Sequence, residues 1–223
     1  MKLLLASALV AATALATSLR AEDSTKVPEG FTALFNGKDL DGWKVINSKN
    51  KDAWAVEGGN IVCKSGGGGY LATEKEYADY EFRCEYKWSK EGGNSGVGLR
   101  IPPAGGDPAY QGMEIQLIDD ENWEKVNKFK LADYQHTGSI YDVQPAKLQA
   151  NKPVGEWNTV RIVCKGRKVT IEQNGKELVN ANLDDFEKKF EKHPGLKRET
   201  GLIGFQSYNI KLEFRNVFIK ELK

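Results

Sequence analysis

The chain has 223 residues, enough for one all-β domain with a full core. Lys and Arg (32) nearly balance Asp and Glu (31), and the formal charge of +1 gives no bulk field to attract nucleic acid or an anionic membrane. Two histidines, His136 and His193, are too few for a multi-histidine metal site.

Met1-Lys2 followed by an apolar run from Leu3 to Leu15 reads as a signal peptide over residues 1–21. Ala14-Leu15-Ala16 and Ala16-Thr17-Ser18 both offer small-x-small cleavage frames. The run is too short to span a bilayer, and no later segment is apolar enough to do so. A protein released to the periplasm or the medium, without membrane insertion after cleavage, is expected. No Cys follows the run, so no lipid anchor is expected. Residues 22–30 read as a polar linker ending in Pro28-Glu29-Gly30, and residues 31–223 as a single β-sandwich domain.

Gly66–Gly69 lacks the Lys-Ser/Thr ending of a phosphate loop. From Asp79 to Trp88, Tyr80, Phe82, Cys84, Tyr86 and Trp88 alternate with charged residues, the period of a strand with one buried face. In Asn94–Ile101, strict alternation sets Val97, Leu99 and Ile101 on one face and Asn94, Gly96, Gly98 and Arg100 on the other. Glycines inside a strand mark either a bulge or the close approach of a ligand or backbone. In the next strand, Met113, Ile115 and Leu117 point to a core while Glu114 and Gln116 share the opposite face, with Asp119 and Asp120 at its end. If the two strands are neighbours, Arg100, Glu114 and Gln116 converge on a trough able to bind hydroxyls or an oxyanion. A solvated face with an ordinary ion pair is the competing reading.

Glu121–Tyr134 is polar and mixed, and reads as a long loop that carries Trp123 and Tyr134. His136 follows in the same loop region, whereas His193 sits in a charged loop without evident chemistry. Val160, Ile162 and Cys164 share a strand face, Gly166-Arg167 can turn the chain, and Asn174-Gly175 signals a type I′ hairpin. Leu183–Lys192 is either a short helix or a polar loop. A parity change near Arg215-Asn216 indicates a bulge in the last strand. Cys63, Cys84 and Cys164 all fall in strand-like segments, as buried hydrophobes or as one disulfide plus a free thiol. Many antiparallel strands and few helices imply a sandwich or jelly roll. Trp43, Trp54, Trp123, Tyr110, Tyr134 and Tyr141 are candidate stacking platforms for sugar rings, with Trp123 and Tyr134 expected to be exposed.

These residues resemble the DUF1080, or 3-keto-disaccharide hydrolase, family. The resemblance runs in order from Phe31-Thr32-Ala33-Leu34-Phe35-Asn36-Gly37 through Asp41-Gly42-Trp43, Trp54-Ala55-Val56-Glu57-Gly58-Gly59, Asn94-Ser95-Gly96, Arg100 and Glu114–Asp119. It continues with Thr137-Gly138-Ser139-Ile140-Tyr141, Gly155-Glu156-Trp157-Asn158, Asn174-Gly175, Gly201–Gln206 and Phe214-Arg215-Asn216, covering roughly residues 30–222. It implies a concanavalin-like jelly-roll sandwich of two antiparallel sheets acting on 3-keto-glycosides. The implied chemistry is removal of the C2 proton that the C3 ketone acidifies, loss of the C1 substituent, and addition of water. On that basis Glu114 is the candidate base, and Arg100 with Gln116 would hold the enolate. Asp119 or His136 would protonate the leaving oxygen or help hold a metal. Asn94, Trp123, Tyr134, Tyr141 and Gln206 are the candidate substrate contacts. The resemblance assigns no definite cofactor and leaves room for a divalent metal as Lewis acid. One departure stands out: Ser207-Tyr208-Asn209 occupies the place of an Asp-His-Gly-like triplet common in the family. An ordinary glucanase is a weaker fit, because the frame Glu114-x-Gln116-x-x-Asp119 has an amide at its centre. A lectin-like module would need the same trough but no base.

Overall fold

The computed structural model of the chain describes residues 26–64 and 68–223. The expected signal peptide and the first part of the linker lie outside the described residues. No helix among those described is long and apolar enough to cross a membrane.

Among the described residues, thirteen strands follow one another: β1 (Thr32–Ala33), β2 (Trp43–Ile46), β3 (Trp54–Glu57), β4 (Asn60–Cys63), β5 (Tyr70–Thr73), β6 (Tyr80–Trp88), β7 (Asn94–Ile101), β8 (Met113–Ile118), β9 (Asn158–Lys165), β10 (Lys168–Gln173), β11 (Lys176–Asn182), β12 (Leu202–Gln206) and β13 (Leu212–Glu221). Two short helices, α1 (Pro108–Gln111) and α2 (Trp123–Asn127), flank the β8 strand. The strands form two antiparallel sheets packed face to face. The larger runs β11-β10-β9-β6-β13-β4-β3, with β1 pairing to β13, and the smaller runs β2-β5-β12-β7-β8. The chain is thus a jelly-roll sandwich.

Side-chain alternation builds the layers. Tyr80, Phe82, Cys84, Tyr86 and Trp88 are all buried along β6, with half-buried charged residues between them. They meet Val97, Leu99, Met113, Ile115, Leu117 and Phe205 of the smaller sheet in one continuous core. Trp43 and Trp54 belong to this core rather than to a sugar platform, and Trp43 stacks on Phe205 with ring centroids 5.5 Å apart. Asn174 and Gly175 both hold positive φ (50° and 76°), as a type I′ hairpin requires. The β13 strand shifts register between Arg215 and Phe218, with Asn216 at φ 51°, so the sequence bulge is real. All three cysteines are free and buried, and burial pushes the Cys84 and Cys164 thiols up. Leu183–Lys189 is 3-10 helical. Within the segment read as a loop, Trp123–Asn127 winds into α2 instead, a single turn too short to leave a helical period.

A second bulge changes the reading of β7. Its register against β12 shifts between Leu202 and Gly204, where Leu202 pairs with Ile101 and Gly204 with Gly98. Arg100 occupies the extra position with φ 50°. Leu99 and Arg100 therefore both turn inward, and Ile101 joins Tyr70, Ala72 and Leu202 in a small cluster separate from the main core. The expected grouping of Arg100 with Asn94, Gly96 and Gly98 fails because one inserted residue reverses side-chain parity.

Candidate functional site

The outer face of the smaller sheet carries a cleft of about 570 Å³. Its floor is Asn94 from β7, Glu114 and Gln116 from β8, and Gln206 from β12. These converge because β7 and β8 are neighbours in register, with Gly96 opposite Gln116 and Gly98 opposite Glu114. The far edge of β8 is covered by residues 138–141, whose backbone bonds to it through Gly138 N to Gln116 O and Tyr141 N to Glu114 O, both 2.9 Å. That pairing delivers Tyr141 to the cleft wall. Asn209 braces the opposite side, accepting from Asn94 N and donating to Gly92 O, each at 2.9 Å.

Glu114 is the centre of the arrangement. It is 4% exposed, and its Oε2 accepts from the Tyr70 hydroxyl and from Gln206 Nε2 (3.1 Å). Both protein hydrogen bonds fall on Oε2, leaving Oε1 over Gly96, where a Cβ would stand only 2.4 Å away. Burial drives the Glu114 carboxyl up to about 7, against the pull of the Tyr70 hydrogen bond, and the charge of Asp107 adds to the rise. Tyr70 is itself buried and held protonated, since burial and the nearby carboxylate push its phenol well up.

Around this carboxyl, the buried amide oxygens of Asn94, Gln116 and Gln206 find no partner in the protein, nor does the buried indole N–H of Trp123. Buried polar atoms are paired as a rule, so a cluster of unpaired ones lining one cleft marks a place for a polar ligand. Phe129 (56% exposed) and Tyr208 (52% exposed) form the apolar rim.

Several sequence-derived candidates lie elsewhere. Arg100 is wholly buried, and its guanidinium donates to Arg198 O (2.8 Å) and Gly166 O (2.7 Å), the latter in the turn between β9 and β10 of the opposite sheet. It faces away from Glu114. Asp119 is spent on structure: it accepts from Gly92 N (2.9 Å) and Asn122 Nδ2 (3.1 Å). His136 bonds through Nδ1 to Asp120 Oδ1 (2.9 Å) and borders a separate depression with Pro145 and Leu148. His193 is buried behind Tyr110, stacked at 4.7 Å and bonded to Asp142. Neither histidine lines the cleft. Trp123 does line it but is 9% exposed rather than free, and Tyr134 packs edge-on against Tyr141 at 6.0 Å without reaching the cavity.

Sequence reasoning missed Tyr70, Asp107, Phe129 and Tyr208. Tyr70 sits in β5, whose four residues are all buried, so no alternation distinguished it. Phe129 and Tyr208 carried the only available signal, a large aromatic in a polar loop. Among the described residues no group of three or more His, Cys, Asp or Glu could hold a metal ion. The cleft carboxylates are Glu114 and Asp107, amid the amides of Asn94, Gln116 and Gln206 and several aromatics.

The profile of the 3-keto-alpha-glucoside-1,2-lyase-like domain matches residues 30–220. The chain belongs to this family. It is 28% identical to a 3-keto-disaccharide hydrolase of Bacteroides thetaiotaomicron, an alignment covering 90% of this chain and 82% of the relative. A crystal structure of a candidate glycosyl hydrolase from Parabacteroides distasonis superposes with TM-score 0.77 at 34% identity, over 87% of this chain and 95% of that one. The carbohydrate-binding module CBM66 of Bacillus subtilis shares the fold at TM-score 0.53 and 14% identity, covering 80% of this chain and 95% of the module. Family and fold together assign the chain a carbohydrate-active role.

Proposed function

We propose that this protein is an exported enzyme that cleaves 3-keto-glycosides, with Glu114 as the base. The observation that carries the reading is Glu114 itself: a carboxyl raised to about 7, with one oxygen free of protein hydrogen bonds, at the floor of a cleft lined by unpaired amides. A base is most effective when its pKa lies near the working pH. A ketone at C3 acidifies the C2 proton enough for such a carboxylate to remove it.

The steps balance without a cofactor. Glu114 takes the C2 proton, and the electron pair moves onto the C3 oxygen as an enolate. The enolate collapses, the C1–O bond breaks, and the leaving oxygen takes up a proton from Glu114 or from water. Water then adds to the enone, giving net hydrolysis. Two neutral donors of the cleft residues, the amide N–H of Gln116 and the Trp123 indole N–H, are the candidates to stabilise the enolate oxygen, since both Gln206 N–H groups already serve Tyr70 and Glu114. This replaces the guanidinium that the sequence had suggested. An ordinary glucanase mechanism loses the second carboxylate of the sequence frame, because Asp119 is engaged with Gly92 and Asn122.

The test is a 3-keto-glucoside assay that follows enone absorbance and product release. Wild type should turn over, and Glu114→Gln should lose at least about 10²-fold in kcat, within the usual range for general-base catalysis, while still binding the sugar. Absence of turnover with binding intact would make the chain a lectin-like module instead. Export is tested by expressing the full chain and asking whether the mature N-terminus begins near residues 17–22.

A further inference from the structure

The cleft has a second lobe. A cavity of about 420 Å³ adjoins it, bounded by Asn47, Gly68, Gly69, Tyr70, Gly106 and Pro108, and it shares Asp107, Gln206 and Tyr208 with the larger one. Tyr70 joins the two at the centre: its ring lines the smaller lobe and its hydroxyl donates to Glu114. The reacting carbon, held at Glu114, therefore lies at the junction.

The smaller lobe is built, not incidental. Asn47 holds φ 54°, and its side-chain amide donates to Gly106 O, tying the β2–β3 loop to the loop before α1. Gly69, at φ 74°, has the Ile46 carbonyl 2.3 Å from where a Cβ would stand, so only glycine permits this approach. Ser207 N bonds to Gly69 O at 2.9 Å and fixes the third wall. Ser207 borders this lobe, and its fully buried hydroxyl has no partner in the protein. Tyr208, half exposed, stands between the lobes.

The two lobes differ in chemistry. The larger holds the amides of Asn94, Gln116, Asn127 and Asn209, suited to the hydroxyls and carbonyl of an oxidised ring. The smaller, apart from Asp107 and Gln206 at the shared edge, offers three glycines, Pro108, the Asn47 amide already bonded to Gly106, and the aromatic rings of Tyr70 and Tyr208, suited to a ring held by stacking. Resting on the function proposed above, we infer that the smaller lobe is the leaving-group site, that it takes a second pyranose ring stacked on Tyr208, and that Tyr208 sets the preference for disaccharides over simple alkyl glycosides.

The experiment compares a 3-keto-disaccharide with the methyl 3-keto-glucoside for wild type and Tyr208→Ala. The ratio of the two kcat/KM values should fall about tenfold in the variant, the disaccharide losing the more. Equal losses on both substrates, or none on the disaccharide, overturn the assignment. If wild type turns over neither substrate, the function reading fails on its own, and the lobe is judged by binding. Amide NMR shifts of Gly68, Gly69 and Gly106 should then respond to an unoxidised disaccharide and not to methyl glucoside. Silence at those amides, or the same response to both sugars, refutes the second-ring site.

Discussion

Gly96→Ala is the sharpest probe of the geometry around Glu114. Gly96 does not occupy the positive-φ region, so alanine is permitted by the backbone there. Its Cβ would nevertheless meet Glu114 Oε1 at 2.4 Å and both Cδ and Cγ at 2.7 Å, whereas ordinary contact begins at 3.4 Å. The carboxyl must retreat by about 1 Å, and it cannot do so without leaving Tyr70 and Gln206. A misplacement of that size costs on the order of 10²-fold in rate, or about 2.7 kcal/mol in the barrier. Stability should change far less, because removing a glycine reduces unfolded-state freedom by about 0.4–1 kcal/mol and offsets part of the strain. The expected result is a kcat on a 3-keto-glucoside down about 100-fold, with a melting temperature within a few degrees of wild type. Wild-type kcat in a folded Gly96→Ala protein would refute the placement of Glu114 as the base.

The pH dependence has a defined sign. A base with pKa about 7 gives kcat/KM that rises as pH passes through 7 and then levels. Stability runs the other way: the folded carboxyl keeps its proton up to about 7 while the unfolded one releases it near 4.5, so roughly 3 kcal/mol present below 4.5 is lost as pH climbs through 7. Glu114→Gln lacks this titration, and its melting temperature relative to wild type should climb by roughly 5–10 °C between pH 4.5 and 7.5 in calorimetry. Arg100→Met should lower the melting temperature by several degrees, since it strips the Arg198 and Gly166 carbonyls of their donors, yet leave kcat/KM of the folded protein within about threefold. A collapse of kcat/KM at unchanged melting temperature would return Arg100 to the chemistry. His136→Ala should keep activity within severalfold at every pH assayed, because its ring serves the buried Asp120; a lost pH limb would contradict that.

Much of the sandwich was legible because alternation is a direct image of burial. The β6 pattern, the Asn174-Gly175 hairpin and the β13 bulge all follow from two-residue periodicity and turn chemistry. The same periodicity placed Glu114 and Gln116 together on the open face of β8. It failed at Arg100 because glycines inside a strand signal a bulge or a close approach without telling which, and one added residue carries every later side chain to the other face. Asp119 and His136 were misplaced for a different reason. Both follow the end of β8, where the chain turns away and the period no longer applies, and their polar groups cap loops rather than face a ligand. Tyr70 was invisible because a strand buried on both faces shows no contrast.

The bulge that defeated the alternation also serves the proposed chemistry. Had β7 stayed regular, Arg100 would stand diagonally across from Glu114, which pairs with Gly98. A guanidinium within about 4–6 Å lowers a carboxyl by about 1–3 units. Glu114 would then be a permanently ionised, weakly basic partner in an ion pair, and a poor acceptor for a carbon-bound proton. By turning Arg100 into the opposite sheet, the fold leaves the larger cleft without any Lys or Arg in its lining, so burial acts on Glu114 without a cation to oppose it. The cost is that no full positive charge awaits the enolate. In the proposed reaction the neutral donors of Gln116 and Trp123 carry that load, in a buried site where little solvent screens them.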